Sequence, residues 1–127
     1  MTLDRQEAIV ADLDIQPGDR VLEIGCGHGV AASAVCRQLK TGTYIGVDRS
    51  SKMIDAATAR NQQYVDAGTA QFIEQKLEAM DLGNQQFDKI FAIRVRLFHD
   101  DPEGARQLVQ KYLAPGGTIT SVYDTPA

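Results

Sequence analysis

Two kinds of secondary-structure pattern alternate along this chain, and the alternation limits its fold more than any other feature. Short β-branched and aliphatic runs predict strands at residues 20–24, 43–47, 70–73, 87–93 and 118–123. Apolar residues at helical spacing predict helices at residues 3–13, 30–39, 50–67 and 102–113. Strands and helices in this order predict an α/β fold with a parallel sheet, and right-handed crossovers place helices on both of its faces.

The composition fits a single globular domain over residues 1–127, because 43% of the residues are hydrophobic and 24% are charged. The net charge is −4, and acids and bases are interspersed, so no basic stripe exists for a nucleic acid. No apolar run approaches the roughly 18 residues of a membrane span. Cys26 and Cys36 are too few for a disulfide scaffold. We therefore expect a cytoplasmic protein that binds neither nucleic acid nor membrane.

The segment VLEIGCGHG, residues 21–29, joins the first of these predicted strands to the helix predicted after it. Gly25, Gly27 and Gly29 allow backbone conformations with φ > 0 and let a ligand approach closely. The helix that follows offers unpaired N–H groups to a carboxylate or a phosphate. The loop is therefore a candidate binding site, and a tight turn without a ligand is the alternative.

Asp48 ends the second predicted strand, in the segment GVDRS, about 20 residues after the glycine loop. An acid at this place can accept hydrogen bonds from the hydroxyls of a ribose. The alternative is an aspartate that caps the next helix, just before Ser50. Together, the glycine loop and Asp48 indicate a cofactor that contains adenosine.

The details of the loop distinguish between the adenosine cofactors. GCGHGV departs from the GxGxxG spacing of dinucleotide sites, which disfavours a nucleotide-dependent oxidoreductase, and no GxxxxGK[ST] motif is present. Glu23 precedes the loop, where a carboxylate can hold loop amides and attract an ammonium group. Adenosine at Asp48 and an amino-acid end at the loop describe S-adenosylmethionine.

VLEIGCGHG and GVDRS resemble motifs I and II of the class I S-adenosylmethionine-dependent methyltransferases, and QQFDKIFA and LAPGGTI resemble later strand motifs of that family. The resemblance covers residues 17–123. It implies a Rossmann-like, doubly wound, mainly parallel sheet of order 3-2-1-4-5 in a three-layer α/β/α arrangement. The family's sheet has seven strands, and this chain ends after the fifth. The fifth strand would then be an open edge, which predicts a homodimer through it.

The resemblance also implies a role for individual residues. Glu23 would orient the loop and face the methionine amino group, Asp48 would take both ribose hydroxyls, and Arg94 would lie near the sulfonium. The other cofactor-binding residues that it implies are Gly25, Cys26, Gly27 and Gly29 beneath the cofactor, Arg49 and Met53 on the adenine faces, and Leu77 and Glu78 at the adenine edge.

Two positions depart from the family pattern. Lys76 stands where an aspartate usually holds the adenine amino group, and an ammonium group cannot accept that bond. Either Glu78 takes this role, or packing and a backbone amide hold the adenine. A fixed cation near a sulfonium is unfavourable, so we expect Arg94 to point outward, towards an anionic substrate or as a solvated or salt-bridged arginine.

The resemblance implies methyl transfer from S-adenosylmethionine to a small-molecule acceptor, with S-adenosylhomocysteine as the product. The protein would mainly position the reactants and exclude water. His99, after the fourth predicted strand, is the candidate general base, and a surface or capping histidine is the alternative. A non-catalytic S-adenosylmethionine-binding or protein-interaction module with a reduced methyltransferase fold is the alternative function.

Cys26 and His28 in the loop suggest two further kinds of chemistry. Cys26 could be a nucleophile only if its pKa were lowered, and we expect a small residue that fills the loop. A metal site built from Cys26, His28 and Asp48 has no recognised ligand spacing, so we expect no metal.

Overall fold

The computed structural model describes residues 3–123. Its strands are β1 (Arg20–Ile24), β2 (Thr43–Asp48), β3 (Ala70–Glu74), β4 (Phe87–Ile93) and β5 (Leu113–Val122). Its α-helices are α1 (Leu3–Ala11), α2 (Val30–Cys36), α3 (Ser51–Arg60), α4 (Gln62–Asp66), α5 (Arg96–Asp100) and α6 (Pro102–Val109). Two short 3-10 helices, Leu77–Ala79 and Gln110–Tyr112, precede β4 and β5.

The five strands form one sheet in the order β3-β2-β1-β4-β5, and every pairing is parallel. β1 is the central strand: Leu22 pairs with Ile45 of β2 on one side and with Ile90 of β4 on the other. The predicted strand order and the predicted parallel sheet are therefore confirmed. The order in which the chain adds strands changes direction between β1 and β4, because β2 and β3 lie on one side of β1 and β4 and β5 lie on the other. Ligands bind at such a switch point in sheets of this kind.

Each face of the sheet packs against its own hydrophobic core. Leu22 and Ile24 of β1 belong to the core that contains Phe98 and Val109 from the segments after β4. Val21 belongs to the opposite core, together with residues of α1 and α2. Successive residues of a strand point to opposite faces, so a strand covered on both faces needs apolar side chains on each of them, which β1 supplies with Val21, Leu22 and Ile24. This arrangement confirms the three-layer prediction.

The single helix predicted at residues 50–67 is divided into α3 and α4 at Asn61. The Asn61 side chain is completely buried. Its Nδ2 donates hydrogen bonds to the carbonyl oxygens of Ala57 and Gly29, at 3.1 and 3.0 Å. The Gly29 carbonyl, which is distant in sequence, thus accepts a hydrogen bond from the residue at which the helix breaks. Hydrophobic periodicity alone does not indicate such a contact.

The last predicted helix, at residues 102–113, also ends early, because α6 stops at Val109 and β5 begins at Leu113. The Pro115-Gly116-Gly117 segment, which precedes the strand predicted at residues 118–123, lies inside β5. The register there passes from Phe87↔Leu113 to Lys89↔Thr118, so β5 has extra residues that bulge out of the pairing. Gly116 has φ +80°, which accounts for a glycine in the bulge.

Helix α5 was not predicted from the sequence, and Arg94 and Val95 separate it from β4. Among the described residues, β3 and β5 are the two edge strands. No helix in this part of the chain is long and apolar enough to cross a membrane.

Tyr112→Phe tests the hydrogen bonds of the Tyr112 hydroxyl, on the last residue of the 3-10 helix before β5. The buried Tyr112 hydroxyl accepts a bond from the Leu82 N–H and donates one to the Met80 carbonyl, at 3.1 and 3.2 Å. Its removal leaves two buried backbone groups without a partner, so we expect a loss of about 1–3 kcal/mol in the free energy of unfolding. Urea unfolding measures it. The control, Tyr64→Phe, removes a hydroxyl that makes no hydrogen bond within residues 3–123, and an equal loss in both variants would contradict the prediction.

Candidate functional site

Two adjoining cavities lie at the carboxyl ends of the parallel strands. The larger has a volume of about 530 Å³ and the smaller about 160 Å³. Gly25, Ile93 and Arg94 line both of them. They therefore form one bipartite site whose halves meet at these residues, beside the switch point between β1 and β4.

The glycine loop is fastened to β2 by its backbone. The N–H groups of Gly25 and Cys26 both donate to the carbonyl oxygen of Val47, at 2.7 and 3.0 Å. Gly25 and Gly27 have φ values of +72° and +54°, which favour glycine. A Cβ on Gly25 would lie 2.6 Å from a Val95 methyl carbon, whereas a Cβ on Gly27 would meet nothing within 4 Å. Gly27 therefore exposes its backbone to the smaller cavity that it lines.

Asp48 holds the same loop from the end of β2. Its Oδ2 accepts a hydrogen bond from the Gly27 N–H, and its Oδ1 accepts one from the Ser50 N–H, each at 3.0 Å. A carboxylate offers about four acceptor positions, so both oxygens can still accept from a ligand. Asp48 lines the larger cavity. Asp48 thus organises the backbone of the loop, whereas Ser50, not Asp48, is the N-cap of α3. The role of Asp48 as a ribose acceptor stays a prediction.

Glu23 is a buried acid in the middle of an apolar strand, with only 2% of its surface exposed. Its Oε1 accepts a hydrogen bond of 2.6 Å from the Tyr44 hydroxyl of β2. Burial raises the pKa of Glu23 from 4.5 to about 8; the Tyr44 bond lowers this pKa, and the negative charge of Asp48 raises it. Glu23 lines the smaller cavity, so a group that enters this cavity meets a carboxyl with a raised pKa.

Sequence reasoning missed Tyr44 and Asn61, which position the loop and its acid. Ser33 donates to Asn61 Oδ1 at 2.6 Å, and the amide of Asn61 holds the Gly29 carbonyl. A Cβ on Gly29 would lie 2.6 Å from Asn61 Nδ2 and 3.0 Å from the Ala57 Cα. Gly29 is thus a glycine because α3 packs against it, and it lines neither cavity.

The residues predicted for the adenine side lie mostly together. Arg49, Leu77 and Glu78 line the larger cavity, and so does Lys76 at the position of the family's aspartate. Met53 lines neither of the two cavities. The sequence analysis also missed Gln75 in the wall of the larger cavity.

Gln75 braces the loop after β3. Its N–H donates to the Asp48 carbonyl, and its side chain exchanges two hydrogen bonds with the backbone of Asp81, at 3.0 and 2.9 Å. The wall on the adenine side is therefore attached directly to the end of β2. The sequence signal was weak, because a glutamine after a strand is ordinary in composition.

Arg94 lies between the two cavities and follows β4 directly. Its φ is +59°, which is unusual for a residue with a side chain, and its N–H donates to the Val122 carbonyl at 2.7 Å. The residue is exposed. Its backbone is thus held at the exit of β4 in a conformation that ordinary residues rarely adopt, a kind of strain that is common at functional sites.

His99 lies outside both cavities. It is exposed, and its ring stacks on Tyr123 with the centroids 4.1 Å apart and an angle of 18° between the planes. The structure therefore does not bring this candidate base to the residues predicted to bind the cofactor.

Cys26 and His28 give no support to nucleophilic or metal chemistry. Burial first, and then the charges of Glu23 and Asp48, raise the pKa of the Cys26 thiol far above its ordinary value, so it stays protonated at neutral pH. Within residues 3–123, no group of three or more His, Cys, Asp or Glu side chains is placed to hold a metal ion.

The fold and the site define a doubly wound α/β protein with a bipartite pocket over a glycine loop. Residues 21–117 match a family model described as a methyltransferase domain. The chain is 33% identical to the sterol 24-C-methyltransferase of Saccharomyces cerevisiae over 111 residues, which are 87% of this chain and 28% of that protein. It is 28% identical to a fatty-acid O-methyltransferase of Mycolicibacterium smegmatis over 107 residues, 84% of this chain and 37% of that protein.

A solved structure shows the same fold. It is an S-adenosylmethionine-dependent methyltransferase from Geobacter sulfurreducens in complex with S-adenosyl-L-homocysteine, with a TM-score of 0.77 and 22% identity. The match covers 94% of this chain and 47% of that one. The chain belongs to the class I S-adenosylmethionine-dependent methyltransferase family, and it spans about a third of the length of the two curated relatives named above.

Glu23→Gln tests whether the buried acid keeps its proton. The folded protein holds this proton up to a pKa of about 8, whereas the unfolded chain releases it near 4.5. The stability that the protonated Glu23 side chain contributes is therefore complete below about pH 4.5 and is lost as the pH rises through about 8. This loss in the free energy of unfolding is on the order of 3–5 kcal/mol. Glutamine can still accept the Tyr44 bond and does not titrate.

The measurement is the free energy of unfolding by urea, at intervals between about pH 5 and pH 8.5. We expect the wild-type value to fall across this range more steeply than that of Glu23→Gln. Parallel curves for the two proteins would contradict the prediction.

Proposed function

We propose that this chain binds S-adenosylmethionine across its two adjoining cavities and transfers the methyl group to a small-molecule acceptor, with S-adenosylhomocysteine as the product. The observation that carries the proposal is the division of the site. One half has a free acceptor capacity at Asp48, and the other has a buried acid beside an open glycine backbone. A nucleoside joined to an amino acid has the two chemistries that these halves complement.

The adenosine end would occupy the larger cavity. Asp48 would accept hydrogen bonds from both ribose hydroxyls with the lone pairs that Gly27 and Ser50 leave free. The adenine would lie against Arg49 and meet the segment of Leu77 and Glu78 at its edge. These residues line one continuous wall around Asp48.

Met53 and Lys76 are the two other residues that concern adenine binding. Met53 is half-buried on α3, and Ser50, the N-cap of that helix, accepts a hydrogen bond from the Met53 N–H. We propose that the Met53 side chain packs on a face of the adenine. Lys76 lines the cavity and cannot accept a bond from the adenine amino group, so this role falls to Glu78.

The amino-acid end would occupy the smaller cavity. Its carboxylate would lie near the backbone of the loop that contains Gly25, Cys26 and Gly27, and its ammonium group would face Glu23. Gly29 would contribute indirectly, because its contact with Asn61 holds the far end of the loop.

The acceptor would enter the larger cavity from the side of the segment after β4. Val95 and Leu97 give this side an apolar surface, and Arg94 adds a cation at the junction of the cavities. The names of two relatives, a sterol and a fatty-acid methyltransferase, support an apolar small molecule. Bound S-adenosylmethionine supplies a methyl group that is already activated for in-line displacement, so the protein contributes position and exclusion of water.

A general base is needed only for an acceptor that is protonated at neutral pH. His99 is the one residue that we propose for it, and the support is its place on the acceptor side, after β4. Its stacking on Tyr123 would have to open for this role.

We also propose that residues 1–127 act as one domain, that the protein is cytoplasmic and that it forms a homodimer through β5. Two buried free thiols, Cys26 and Cys36, fit a reducing compartment. Within the described residues, β5 pairs only with β4 and is an edge strand, which fits association with a second copy.

Asp48→Ala tests the cofactor site. We expect this change to weaken binding of S-adenosylhomocysteine by about 100-fold in calorimetric titration, because it removes two charge-assisted ribose contacts. The control is Asp55→Ala, which removes an exposed acid of α3 and leaves binding unchanged. NAD serves as a ligand that should not bind. A wild-type protein that does not bind S-adenosylhomocysteine would contradict the proposal.

The catalytic part needs its own measurement. We expect the wild type, incubated with radiolabelled S-adenosylmethionine and a mixture of fatty acids, sterols and small amines, to transfer label to an acceptor, and the Asp48→Ala protein to transfer far less. Saturable cofactor binding without any transfer would favour the non-catalytic module instead.

A further inference from the structure

The carboxyl of Glu23 has a single hydrogen-bond partner in its buried position. Oε1 accepts from the Tyr44 hydroxyl at 2.6 Å, whereas Oε2 has no hydrogen-bond partner among the described residues. No cation forms an ion pair with Glu23 in this part of the chain either. A buried polar atom without a partner is rare and calls for an explanation, and this one borders a cavity.

The Tyr44 hydroxyl reaches Glu23 because β2 has a glycine at the intervening position. Gly46 pairs with Glu23 in the parallel register. A Cβ on Gly46 would lie 2.6 Å from the Tyr44 hydroxyl, so any larger residue would compete with the hydroxyl for its place. Glycine in the middle of a strand is otherwise unfavourable. The strand thus contains an ordinarily destabilising residue where the Tyr44–Glu23 contact needs space.

The burial of Glu23 favours its neutral form. Burial is the largest cause of its raised pKa, and Asp48 adds to it, whereas Tyr44 stabilises the carboxylate. α1 contributes the uncharged Gln6 to this cavity. The titratable groups that border Glu23 or its cavity are Cys26, His28, Cys36, Tyr44, Asp48 and Arg94.

We infer that Tyr44 is a positioning residue that directs the free oxygen of Glu23 towards the ammonium group of the cofactor, and that binding of this group expels a proton from the carboxyl. The inference rests on the proposed function, because it needs the amino-acid end in the smaller cavity. Before binding, the site holds a neutral carboxyl. The incoming ammonium group keeps its own proton, the carboxyl proton leaves to solvent, and an ion pair remains. Affinity for the amino-acid end therefore rises with pH, whereas affinity for the adenosine end does not.

Two probes separate the ends of the ligand. S-adenosylhomocysteine carries the α-ammonium group, and 5′-methylthioadenosine keeps the adenosine and a thioether but has no amino-acid end. Each is titrated calorimetrically into the wild type between about pH 6 and pH 8, in buffers of different ionisation enthalpy, which yields the number of protons released.

The expected results for the wild type follow from the fraction of ionised Glu23. We expect S-adenosylhomocysteine to release close to one proton at about pH 7 and to gain about 10- to 50-fold in affinity from pH 6 to pH 8. We expect 5′-methylthioadenosine to release none and to change by less than about twofold. Equal proton release with the two probes would overturn the inference while leaving the cofactor site in place.

Two variants separate the roles of the pair. Tyr44→Phe keeps the ring, whose centroid lies 5.6 Å from that of Phe72, and removes only the hydroxyl. We expect it to weaken S-adenosylhomocysteine about 5- to 20-fold at about pH 7, to leave 5′-methylthioadenosine unchanged and to move the pH midpoint of binding upward, because the carboxylate loses its donor. Glu23→Gln should abolish proton release.

The binding of 5′-methylthioadenosine also shows that each variant is folded. If Tyr44→Phe weakens both probes equally, or leaves S-adenosylhomocysteine and its pH midpoint unchanged, Tyr44 has no positioning role and the inference fails. If the wild type binds neither probe, the proposed function fails and the inference fails with it. The wild-type proton count tests the coupling even if a variant does not fold.

Discussion

The burial of β1 is the constraint on which the rest of the structure depends. This strand pairs with β2 and β4 on its two edges, and its residues 21–24 are shielded from water. A strand in this position must supply apolar side chains to two cores, and its backbone must leave the sheet sharply at its end. The Val47 carbonyl takes the first two amides of that exit, so the glycine loop is formed by the end of the neighbouring strand.

The three glycines of the loop look equivalent in the sequence, but each has its own physical cause. A Cβ on Gly25 would clash with Val95, and a Cβ on Gly29 would clash with Ala57 of α3. Gly27 has no such neighbour and leaves its backbone open to the smaller cavity. The loop is therefore held at its start by β2, in the middle by Asp48 and at its end by Asn61. A site held at three points in this way can receive a ligand with little rearrangement, which reduces the entropic cost of binding.

Much of the fold was predictable because buried parallel strands are continuous apolar runs and their crossovers have one hand. The strand order and the gathering of Glu23, Gly25 and Asp48 followed from motifs at strand ends. The break at Asn61 and the bulge in β5 did not follow, because each depends on a partner far away in the chain: the Gly29 carbonyl for Asn61, and the β4 register for the bulge. A propensity argument weighs near neighbours and cannot include such partners.

The sequence by itself determined the order of the elements, the position of the loop and the family, since these depend on local periodicity and on short motifs. Only the tertiary structure decided what the polar groups do. In the folded protein the Glu23 carboxyl accepts a hydrogen bond from Tyr44, and the oxygens of Asp48 accept hydrogen bonds from two backbone N–H groups. The ring of His99 stacks on Tyr123. The physical reason is that the proton affinity and the hydrogen-bonding capacity of a side chain depend on its burial and its partners, which are brought together across the sheet.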